Sequence, residues 1–559
     1  MSLLSTGLSA LTTNQTSLAT TSHNISNVNT EGYSRQRVDQ VTTLPNLEGS
    51  YYVGTGVTVG GIERLYDEFL ATQIRTYTSQ QAQSDAFAQL AGQISDILGS
   101  PTSSLSSGLE SFFNAADAVA NDPTSIAARQ VLLSEAESLV NRFSAIDQRL
   151  LQLDSQLDGQ LNIAVDEINV ISRGIAELNI AISEASSDVG SQPNDLLDQR
   201  DQLINRLSEF VSVSTVKEDS GAISVFIGNG QALVVGQTQV DLTVIPDNST
   251  DPARLAIGYG STGIDISRQL SGGSLGGILQ VRGDVIDSAR TELNALATGL
   301  IDNVNTIHQQ GVTLDGNIGG NLFGPVPPST LVAGASNIFV AITDPRDVAA
   351  AFPAKVSTSV TTSGTGAVEI SSIDITPPLT LPVFAVGADI QITFDAATNQ
   401  YTVTDGVNNT TFAYDPAVDS GKTVNLTAPF VELTLTLTGV PVDGDQFTIG
   451  NNSAVGDNRN ALALADLRAE KVLAGGTQSL ADAYDILIAD VATRTNRADI
   501  NRQTQQGLLD QVESRFSSIS GVNLDEEAAN LIRFQQAYQA ASQIITVSNT
   551  VFNSLLSAI

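Results

Sequence analysis

Both ends of the chain carry an apolar residue at every seventh position. This spacing places a narrow apolar seam along one side of a helix, as in a coiled coil. Small and polar residues fill the remaining faces of both segments. We predict that two terminal helices assemble through these seams, formed by Leu4, Leu8, Leu11, Leu18, Ile25 and Val28 at one end and by Leu524, Leu531, Phe534, Tyr538, Ala541, Ile545, Phe552 and Leu555 at the other.

The limits of both helices are marked by residues that favour helix ends. Asn27, Asn29 and Gly32 tolerate the left-handed backbone conformation, so the first helix is predicted to end among them. Asn523 and Glu526 have the spacing of an N-cap and an N3 residue. The second terminal helix is therefore predicted to start at Asn523.

Between the ends, the helical period returns in several long stretches. It resumes near Glu68 and is clearest over residues 146–182, 279–307 and 462–512. Such long, repeated apolar seams more often form a protein core than a binding groove. We predict an elongated antiparallel helical bundle.

Two regions switch to the alternating period of β-strands. Ile223, Val225 and Ile227 recur at every second position before the turn Gly228-Asn229-Gly230, which predicts a β-hairpin. A second β-rich region covers about 330–450, where Leu433, Leu435 and Leu437 alternate with threonines.

The pattern as a whole predicts a multidomain α+β protein. Its expected parts are terminal coiled-coil helices, an elongated helical bundle and inserted β-rich domains. The predicted boundaries are 1–66 with 513–559 for the terminal assembly domain, 67–212 with 277–329 and 451–512 for the bundle, 213–276 for one β-rich domain and 330–450 for the inserted outer β-rich domain.

The two ends of the chain carry much less net charge than the region between them. The chain has 60 acidic and 26 basic residues and a net charge of -34, yet residues 1–40 are balanced and residues 521–559 carry only -2. Long helices with so little charge resemble packing surfaces rather than solvent-exposed ones. The two terminal helices either pair only with each other inside one monomer or also pack on copies of the chain. Their neutral second face favours packing on copies.

Composition narrows the function classes. The acidic balance argues against nucleic acid or an anionic membrane surface as a partner. The chain has no cysteine, and no apolar run is long enough for a membrane span. No basic residue precedes Arg35, so a cleavable secretory signal is not expected.

No catalytic, metal or cofactor site is predicted. His23 and His308 lack the spacing of metal ligands and are interpreted as residues on helix surfaces or helix ends. No nucleophile elbow with a supporting histidine is present. We therefore predict that the protein is not an enzyme.

Two terminal stretches resemble a known family. Residues 23–33, HNISNVNTEGY, are similar to the amino-terminal signature of flagellar rod, hook and hook-associated proteins, and residues 526–538, EEAANLIRFQQAY, resemble their carboxy-terminal motif. The signature positions are Asn27, Asn29, Thr30, Gly32 and Tyr33. Residues 308–323 and 456–464 further resemble one hook-associated member of this family.

The resemblance implies a structural subunit of the bacterial flagellum at the junction between hook and filament. It implies copies of the chain in a ring, the hook protein and hook-associated protein 3 as partners, and a cytoplasmic export chaperone at the carboxy-terminal helix. It also implies type III export without a cleavable signal and an extracellular location. The alternative is a secreted adhesin or binding module that uses the β-rich insertions.

Overall fold

The chain forms two compact units. A computed structural model describes residues 3–48, 50–100, 104–185, 192–247, 251–324, 335–358, 364–373, 383–384, 388–452 and 454–557. One of the two compact units contains residues 1–93, 154–285 and 493–559, and we call it the terminal unit. The other contains residues 94–153 and 286–492, and we call it the middle unit.

Helices provide most of the framework. In chain order they are α1 Leu3–Ser26, α2 Glu68–Gly99, α3 Leu105–Asn121, α4 Ile126–Ala185, α5 Asn194–Ser208, α6 Gly273–Val281, α7 Asp287–Gln309, α8 Arg459–Asp466, α9 Leu480–Ser520 and α10 Leu524–Ser557. A π-helical turn, Arg282–Ile286, separates α6 from α7. Among the described residues, no helix combines the length and apolar character needed to cross a bilayer.

Side-chain caps explain where several helices begin. The Asp67 carboxylate accepts the backbone N–H groups of Phe69 and Leu70, at 3.0 and 3.1 Å. Asp67 therefore caps α2, which begins at the next residue, Glu68. The Asn523 side chain accepts the N–H of Asp525 at 3.0 Å, as its sequence position predicts for α10.

The predicted seam of the central stretch is confirmed as a core. Ile146, Leu150, Leu157, Leu161 and Ile168 are all completely buried along α4. In the terminal unit, α4 also buries Asp154, whose carboxylate binds Arg254 at 2.6 Å and Arg282 at 2.9 Å. Two guanidinium groups on one buried carboxylate satisfy its hydrogen bonds, and removing one partner would leave an uncompensated charge.

The last helical stretch, predicted to run through Leu462 to Leu467 and on through Ile486 to Val512, forms two separate helices. The chain forms α8, then a loop in which Gly475 and Gly476 adopt positive φ angles of 69° and 85°, and then α9. Glycine readily adopts a positive φ angle, which is not helical, so these two glycines interrupt the helix between α8 and α9.

Strands form small antiparallel sheets. They are β1 Gln36–Thr42, β2 Asn46–Glu48, β3 Tyr51–Val53, β4 Val57–Arg64, β5 Val213–Lys217, β6 Ile223–Ile227, β7 Gln231–Val235, β8 Thr238–Gln239, β9 Leu242–Asp247, β10 Asp251–Tyr259, β11 Ile264–Asp265, β12 Ala354–Thr358, β13 Ala367–Ile373, β14 Ile390–Asp395, β15 Gln400–Thr404, β16 Asn409–Ala413, β17 Lys422–Leu426, β18 Leu433–Thr438 and β19 Gln446–Asn451.

The terminal unit contains the first group of sheets. Strands β1 and β4 pair, β2 and β3 pair, and the orders β5-β6-β7-β8 and β11-β10-β9 form two further sheets. The predicted hairpin is confirmed as β6 and β7, joined through Gly228 and Gly230, which have φ angles of 52° and 103°. A register shift at Val225/Phe226 buries Val234 and exposes Val235 on the second strand.

In the middle unit, the β-rich insertion closes around its own core. One sheet has the order β12-β19-β14-β15-β16 and the other β13-β18-β17. The alternating Leu433, Leu435 and Leu437 all face inward, as their spacing predicts. The rings of Phe394, Tyr401, Tyr414 and Phe447 pack together within this core.

The predicted fold class is confirmed: helical termini, long helices and β-rich insertions make up the chain. The four domain boundaries drawn from the sequence are finer than the two compact units, and they remain a prediction. The boundary placed between 329 and 330 lies outside the described residues.

Candidate assembly interface

The two terminal helices pair with each other in antiparallel orientation. Gly7 near the start of α1 lies against Ile545 of α10, whereas Asn24 near the end of α1 binds Glu527 at the start of α10. A Cβ atom on Gly7 would come within 3.0 Å of the Ile545 side chain, so the glycine allows a close approach. Pairing within one chain, one of the two possibilities left open by the sequence, is therefore present.

The face that α1 buries is small and polar. Its buried residues recur with helical spacing and are Gly7, Thr13, Ser17, Thr20, Thr21 and Asn24. Serine and threonine can be buried here because a hydroxyl can bond within its own helix: Ser17 Oγ donates to the Thr13 carbonyl at 3.0 Å. The sequence indicated a neutral face of small and polar residues but favoured copies of the chain as its partner; in the structure Gly7, Ser17 and Asn24 contact residues of the same chain.

The leucine seam of α1 lies beside that stripe. Leu11, Leu18 and Ile25 are half-buried, and Leu4 and Leu8 are exposed. Val28 was wrongly placed on this helix: α1 ends at Ser26, and Val28 lies half-buried in the turn that follows. Leu8 keeps 54% of its surface accessible. The chain itself thus covers the predicted amino-terminal seam only in part.

The seam of α10 has the same character. Ala541 is buried, Leu531, Phe534, Tyr538 and Ile545 are half-buried, and Leu524 and Phe552 are exposed. Leu555 lies within α10, but its side chain is outside the described residues. The assignment of all these residues to an assembly interface remains a prediction.

Further large apolar side chains are exposed on the same two helices. They are Leu3 on α1 and Ile532, Ile544, Val547, Val551 and Leu556 on α10. Because the helices are antiparallel, Leu3, Leu4 and Leu8 lie at the same end of the pair as Val547, Val551 and Phe552. Exposed apolar surfaces of this kind are typical of protein–protein contacts, membrane contacts and ligand-binding grooves.

At the other end, a buried polar network fastens the pair. Asn24 Nδ2 donates to Glu527 Oε2 at 3.0 Å, and Asn24 Oδ1 accepts the Gln36 backbone N–H at 2.9 Å. Tyr33 Oη donates to the same Asn24 oxygen at 2.8 Å. We call Asn24, Tyr33, Gln36 and Glu527 the polar clasp.

The clasp explains part of the family signature. Gly32 has a φ of 77°, and Thr30 donates its backbone N–H to the Asn27 carbonyl at 2.9 Å, so these residues turn the chain after α1. The turn delivers Tyr33 back to Asn24. Asn29 is exposed and takes no part in the clasp.

Three carboxylates act on the phenol of Tyr33 in the clasp: those of Asp195, Asp198 and Glu527. Burial, and then the negative charges of Asp195, Asp198 and Glu527, raise the pKa of the Tyr33 phenol far above its ordinary value, so it remains a hydrogen-bond donor. Asp198 accepts the Ser34 backbone N–H at 3.0 Å and binds Arg64 at 2.9 Å. Burial nevertheless raises the pKa of Asp198.

The two histidines belong to different units, His23 to the terminal unit and His308 to the middle unit. His23 contacts Tyr33 by an edge-on ring contact and stays half-exposed on α1, as interpreted from the sequence. His308 lies at the end of α7 as expected, but it is fully buried rather than at the surface: its Nδ1 bonds the Gly320 carbonyl at 2.7 Å and its Nε2 accepts the Ala349 N–H at 2.9 Å. Within the described residues, no group of three potential metal ligands converges.

Comparison with known proteins identifies the family. Flagellar hook-associated protein 1 of Escherichia coli strain K12 is 33% identical to this chain over 99% of both chains. The chain belongs to the hook-associated protein 1 family. A relative of the same name from Bacillus subtilis strain 168 is 26% identical over 99% of this chain and 97% of its own.

Family models and a solved structure agree with this membership in the hook-associated protein 1 family. The model described as "Flagellar hook-associated protein FlgK helical domain" matches residues 91–323, that of "Flagella basal body rod protein" matches 4–33, and "Flagellar basal body rod FlgEFG protein C-terminal" matches 513–558. The flagellar hook junction protein FlgK from Burkholderia pseudomallei is 25% identical, with a TM-score of 0.68 over 80% of this chain and 100% of that chain.

Membership in the hook-associated protein 1 family confirms the predicted flagellar function. The protein is a structural component of the bacterial flagellum at the hook–filament junction, and it assembles with other flagellar components. No comparison supports the alternative of an adhesin.

Proposed function

We propose that the protein builds the hook–filament junction as a ring of copies held together by their terminal helices. In this ring, α1 and α10 of each subunit pack against the helices of neighbouring subunits. The hook protein and hook-associated protein 3 contact the ring on its two sides. The protein has no catalytic role, in keeping with the structural role of its family.

One observation carries the proposal: the terminal helix pair buries a small polar stripe and leaves large apolar residues exposed at one end, namely Leu3, Leu4, Leu8, Val547, Val551 and Phe552. A helix pair that was complete within the monomer would do the reverse, because burial of a large apolar side chain contributes about 1.5–3 kcal/mol. Phe552 keeps 61% of its surface accessible. Packing on neighbouring helices would remove this surface from water.

Charge supports the same arrangement. Copies of a chain with a net charge of -34 repel each other. Residues 1–40 and 521–559 together contribute only -2 to that charge. Contact through the terminal helices therefore brings the copies together where repulsion between them is weakest.

The proposal includes export through the flagellar type III apparatus, with a cytoplasmic export chaperone bound to α10. The exposed Val547, Val551 and Phe552 would promote premature association in the cytoplasm unless they were covered. Hydrogen exchange of the full chain with and without the chaperone tests this: protection should appear in α10, and protection confined to the middle unit would contradict it.

The ring is tested by placing a charge on the exposed apolar surface. We expect Phe552→Asp to reduce the amount of the protein in isolated flagella at least about tenfold, since a buried unpaired charge costs several kcal/mol at an interface. Thermal unfolding of the middle unit should not change. The control is Val407→Asp, at a still more exposed apolar position on the turn between β15 and β16.

Two results would contradict the proposal. One is normal incorporation of the Phe552→Asp chain. The other is a large fall in the melting temperature of the purified Phe552→Asp monomer, because it would show that this side chain belongs to the core of the single chain.

A further inference from the structure

The chain that leads into the β-rich insertion is buried along its whole length. Residues 348–354, which we call the entry segment, are seven consecutive buried residues. Only the last of them, Ala354, belongs to a strand, β12. Buried backbone N–H and C=O groups need partners, so those of the entry segment have to be bonded by other parts of the chain. No function assigned so far uses this segment.

The start of α8 supplies the first set of partners. Asn460 Nδ2 donates to the Ala349 carbonyl at 2.6 Å. The backbone N–H groups of Asn460 and Ala461 both donate to the Ala350 carbonyl at 3.1 Å. Asn460 is buried, with 3% of its surface accessible. A buried amide is costly when it is unpaired, so Asn460 favours the position of the entry segment in which its donor is bonded.

Arg459 holds the next part of the entry segment with its guanidinium group. This group donates to the Ala354 carbonyl at 2.5 Å and binds the Asp457 carboxylate at 2.7 Å. It also lies over the Phe352 ring, 5.1 Å from the ring centre. Hydrogen bonds from a charged donor are stronger than neutral ones. A planar guanidinium group can contact a carbonyl, a carboxylate and a ring at once, which the ammonium group of a lysine cannot.

The chain that leaves the insertion is tied to the same residues. Asn452 directly follows β19, and its Nδ2 donates to the Phe352 carbonyl at 2.8 Å and to the Asp457 carboxylate at 2.5 Å. Its backbone N–H donates to the Pro353 carbonyl at 2.9 Å. Asp457 therefore binds Arg459 and Asn452 together and joins the two chain segments at the base of the insertion. We call Asn452, Asp457, Arg459 and Asn460 the base clamp.

Three further helices hold the entry segment and the clamp. Arg129 of α4, with 1% of its surface accessible, donates to the first carbonyl of the entry segment. His308 at the end of α7 accepts the Ala349 N–H at 2.9 Å. Asn458 Nδ2 donates at 2.7 Å to the carbonyl of Ala120 in α3. All these residues belong to the middle unit, so the base of the insertion is bonded to α3, α4, α7 and α8.

This base differs from an ordinary connection between two domains. Such connections are usually exposed and make few contacts, so the parts that they join move relative to each other. A hinge needs residues whose φ and ψ angles are free to change. The insertion has a core of its own around residues such as Leu435 and Phe447, so its folding does not explain why its base is held so closely. The bonds at the base act on the direction in which the insertion leaves the helices.

We propose that the base clamp makes the β-rich insertion a rigid extension of the helices of the middle unit. The clamp fixes the direction of the insertion and prevents hinge motion at its base. This role is independent of the proposed ring.

A distance measurement within the middle unit tests the rigid attachment. The native chain has no cysteine. Spin labels are attached to a full-length chain with Val131→Cys in α4 and Val407→Cys in the insertion, both at exposed positions. Pulsed double electron–electron resonance then gives the distribution of distances between the labels. We expect a narrow distribution with the clamp intact and, after Arg459→Gln, one at least about twice as wide, because the freed base acts as a hinge.

The control is Arg346→Gln, which removes an arginine of the same unit that binds Asp315 at an exposed position. It should leave the distribution narrow. Asp457→Asn keeps the size of the side chain and removes its charge, so it serves as a second clamp variant and should also widen the distribution. A wide distribution with the clamp intact would overturn the proposal, and so would a narrow one in both clamp variants.

Hydrogen exchange separates this role from a general contribution to stability. The Val312 N–H donates to the Ala351 carbonyl of the entry segment at 2.8 Å. In the Arg459→Gln chain, exchange at Val312 and Ala461 should accelerate at least about tenfold, because the loss of a hydrogen bond from a charged group makes the base easier to open. Exchange in β18, inside the insertion, should not change. Equal acceleration at all three places would show that the clamp only stabilises the unit as a whole, and the proposal would be wrong.

Discussion

The β-rich insertion and the terminal helices both carry large apolar residues on a regular period, but they cover them differently. In the insertion, Leu435, Tyr401 and Phe447 turn inward and pack on one another. In the terminal pair, Leu4, Leu8 and Phe552 remain exposed. The insertion thus packs within one chain, whereas in our proposal the terminal helices complete their packing on a neighbour.

The largest contrast is expected from truncating one phenylalanine in each region. Phe447→Ala should destabilise the insertion by about 3–5 kcal/mol, because it opens a cavity in a closed core. Phe552→Ala should change monomer stability by no more than about 0.5 kcal/mol. Calorimetric unfolding of the purified chains measures both, and equal losses would remove the distinction between the two regions.

The stability of the middle unit, which contains His308, should depend on pH. Burial lowers the pKa of His308 from its ordinary 6.5 to about 4, so the unfolded chain binds more protons than the folded chain between these values. Stability is then full above about pH 6.5 and falls as the pH drops towards 4. Between pH 7 and 5 the loss due to His308 should be on the order of 2 kcal/mol.

Urea unfolding of the middle unit at several pH values measures this loss. His308→Gln should reduce the pH dependence over that range, and His23→Gln, the control, should retain it. An unchanged slope in the His308→Gln chain would show that this buried imidazole is not its source.

A smaller effect is expected at the polar clasp. Glu527→Ala removes the carboxylate that binds Asn24 and leaves a buried amide partly unsatisfied, which costs about 1 kcal/mol. Hydrogen exchange in α1 and α10 of the free chain should accelerate roughly fivefold. The control is Glu526→Ala, which breaks only the more exposed ion pair with Arg35 and should accelerate exchange less. Faster exchange in the Glu526→Ala chain than in the Glu527→Ala chain would exclude the clasp as the link between the helices.

The smallest effect compares two helical glycines. Gly92→Ala in α2 should stabilise the chain by about 0.5–1 kcal/mol, because an added Cβ meets no atom within 4 Å. Gly7→Ala should yield little or none of this gain, since its Cβ would press on Ile545. A full gain at Gly7, measured by exchange in α1, would argue against the close approach of the helices.

Local features of the fold were predictable from the sequence because their causes are local. The start of α10 at Asn523, the hairpin turn at Gly228 and the inward face of β18 each depend on residues within a few positions. The interruption between α8 and α9 was missed because a helical period on both sides of a loop resembles one continuous helix.

The site was predictable only in part. A seven-residue period shows which side of a helix is apolar, but not whether its partner is in the same chain, so the exposure of Leu8 could not be read from it. The Asn24–Glu527 contact joins residues 503 positions apart and has no local signal. His308 was predicted to lie on a helix surface or at a helix end; it lies at the end of α7, but its burial depends on contacts with Gly320 and Ala349 that have no local signal in the sequence.

Hydrogen exchange of residues 3–26 and 524–557, measured in the free subunit at high dilution and in isolated flagella, tests the central claim most directly. We expect these helices to exchange rapidly in the free subunit, because they bury little apolar surface there, and to be strongly protected in flagella. Equally strong protection in the dilute monomer would contradict the claim that the terminal helices complete their packing on neighbouring subunits.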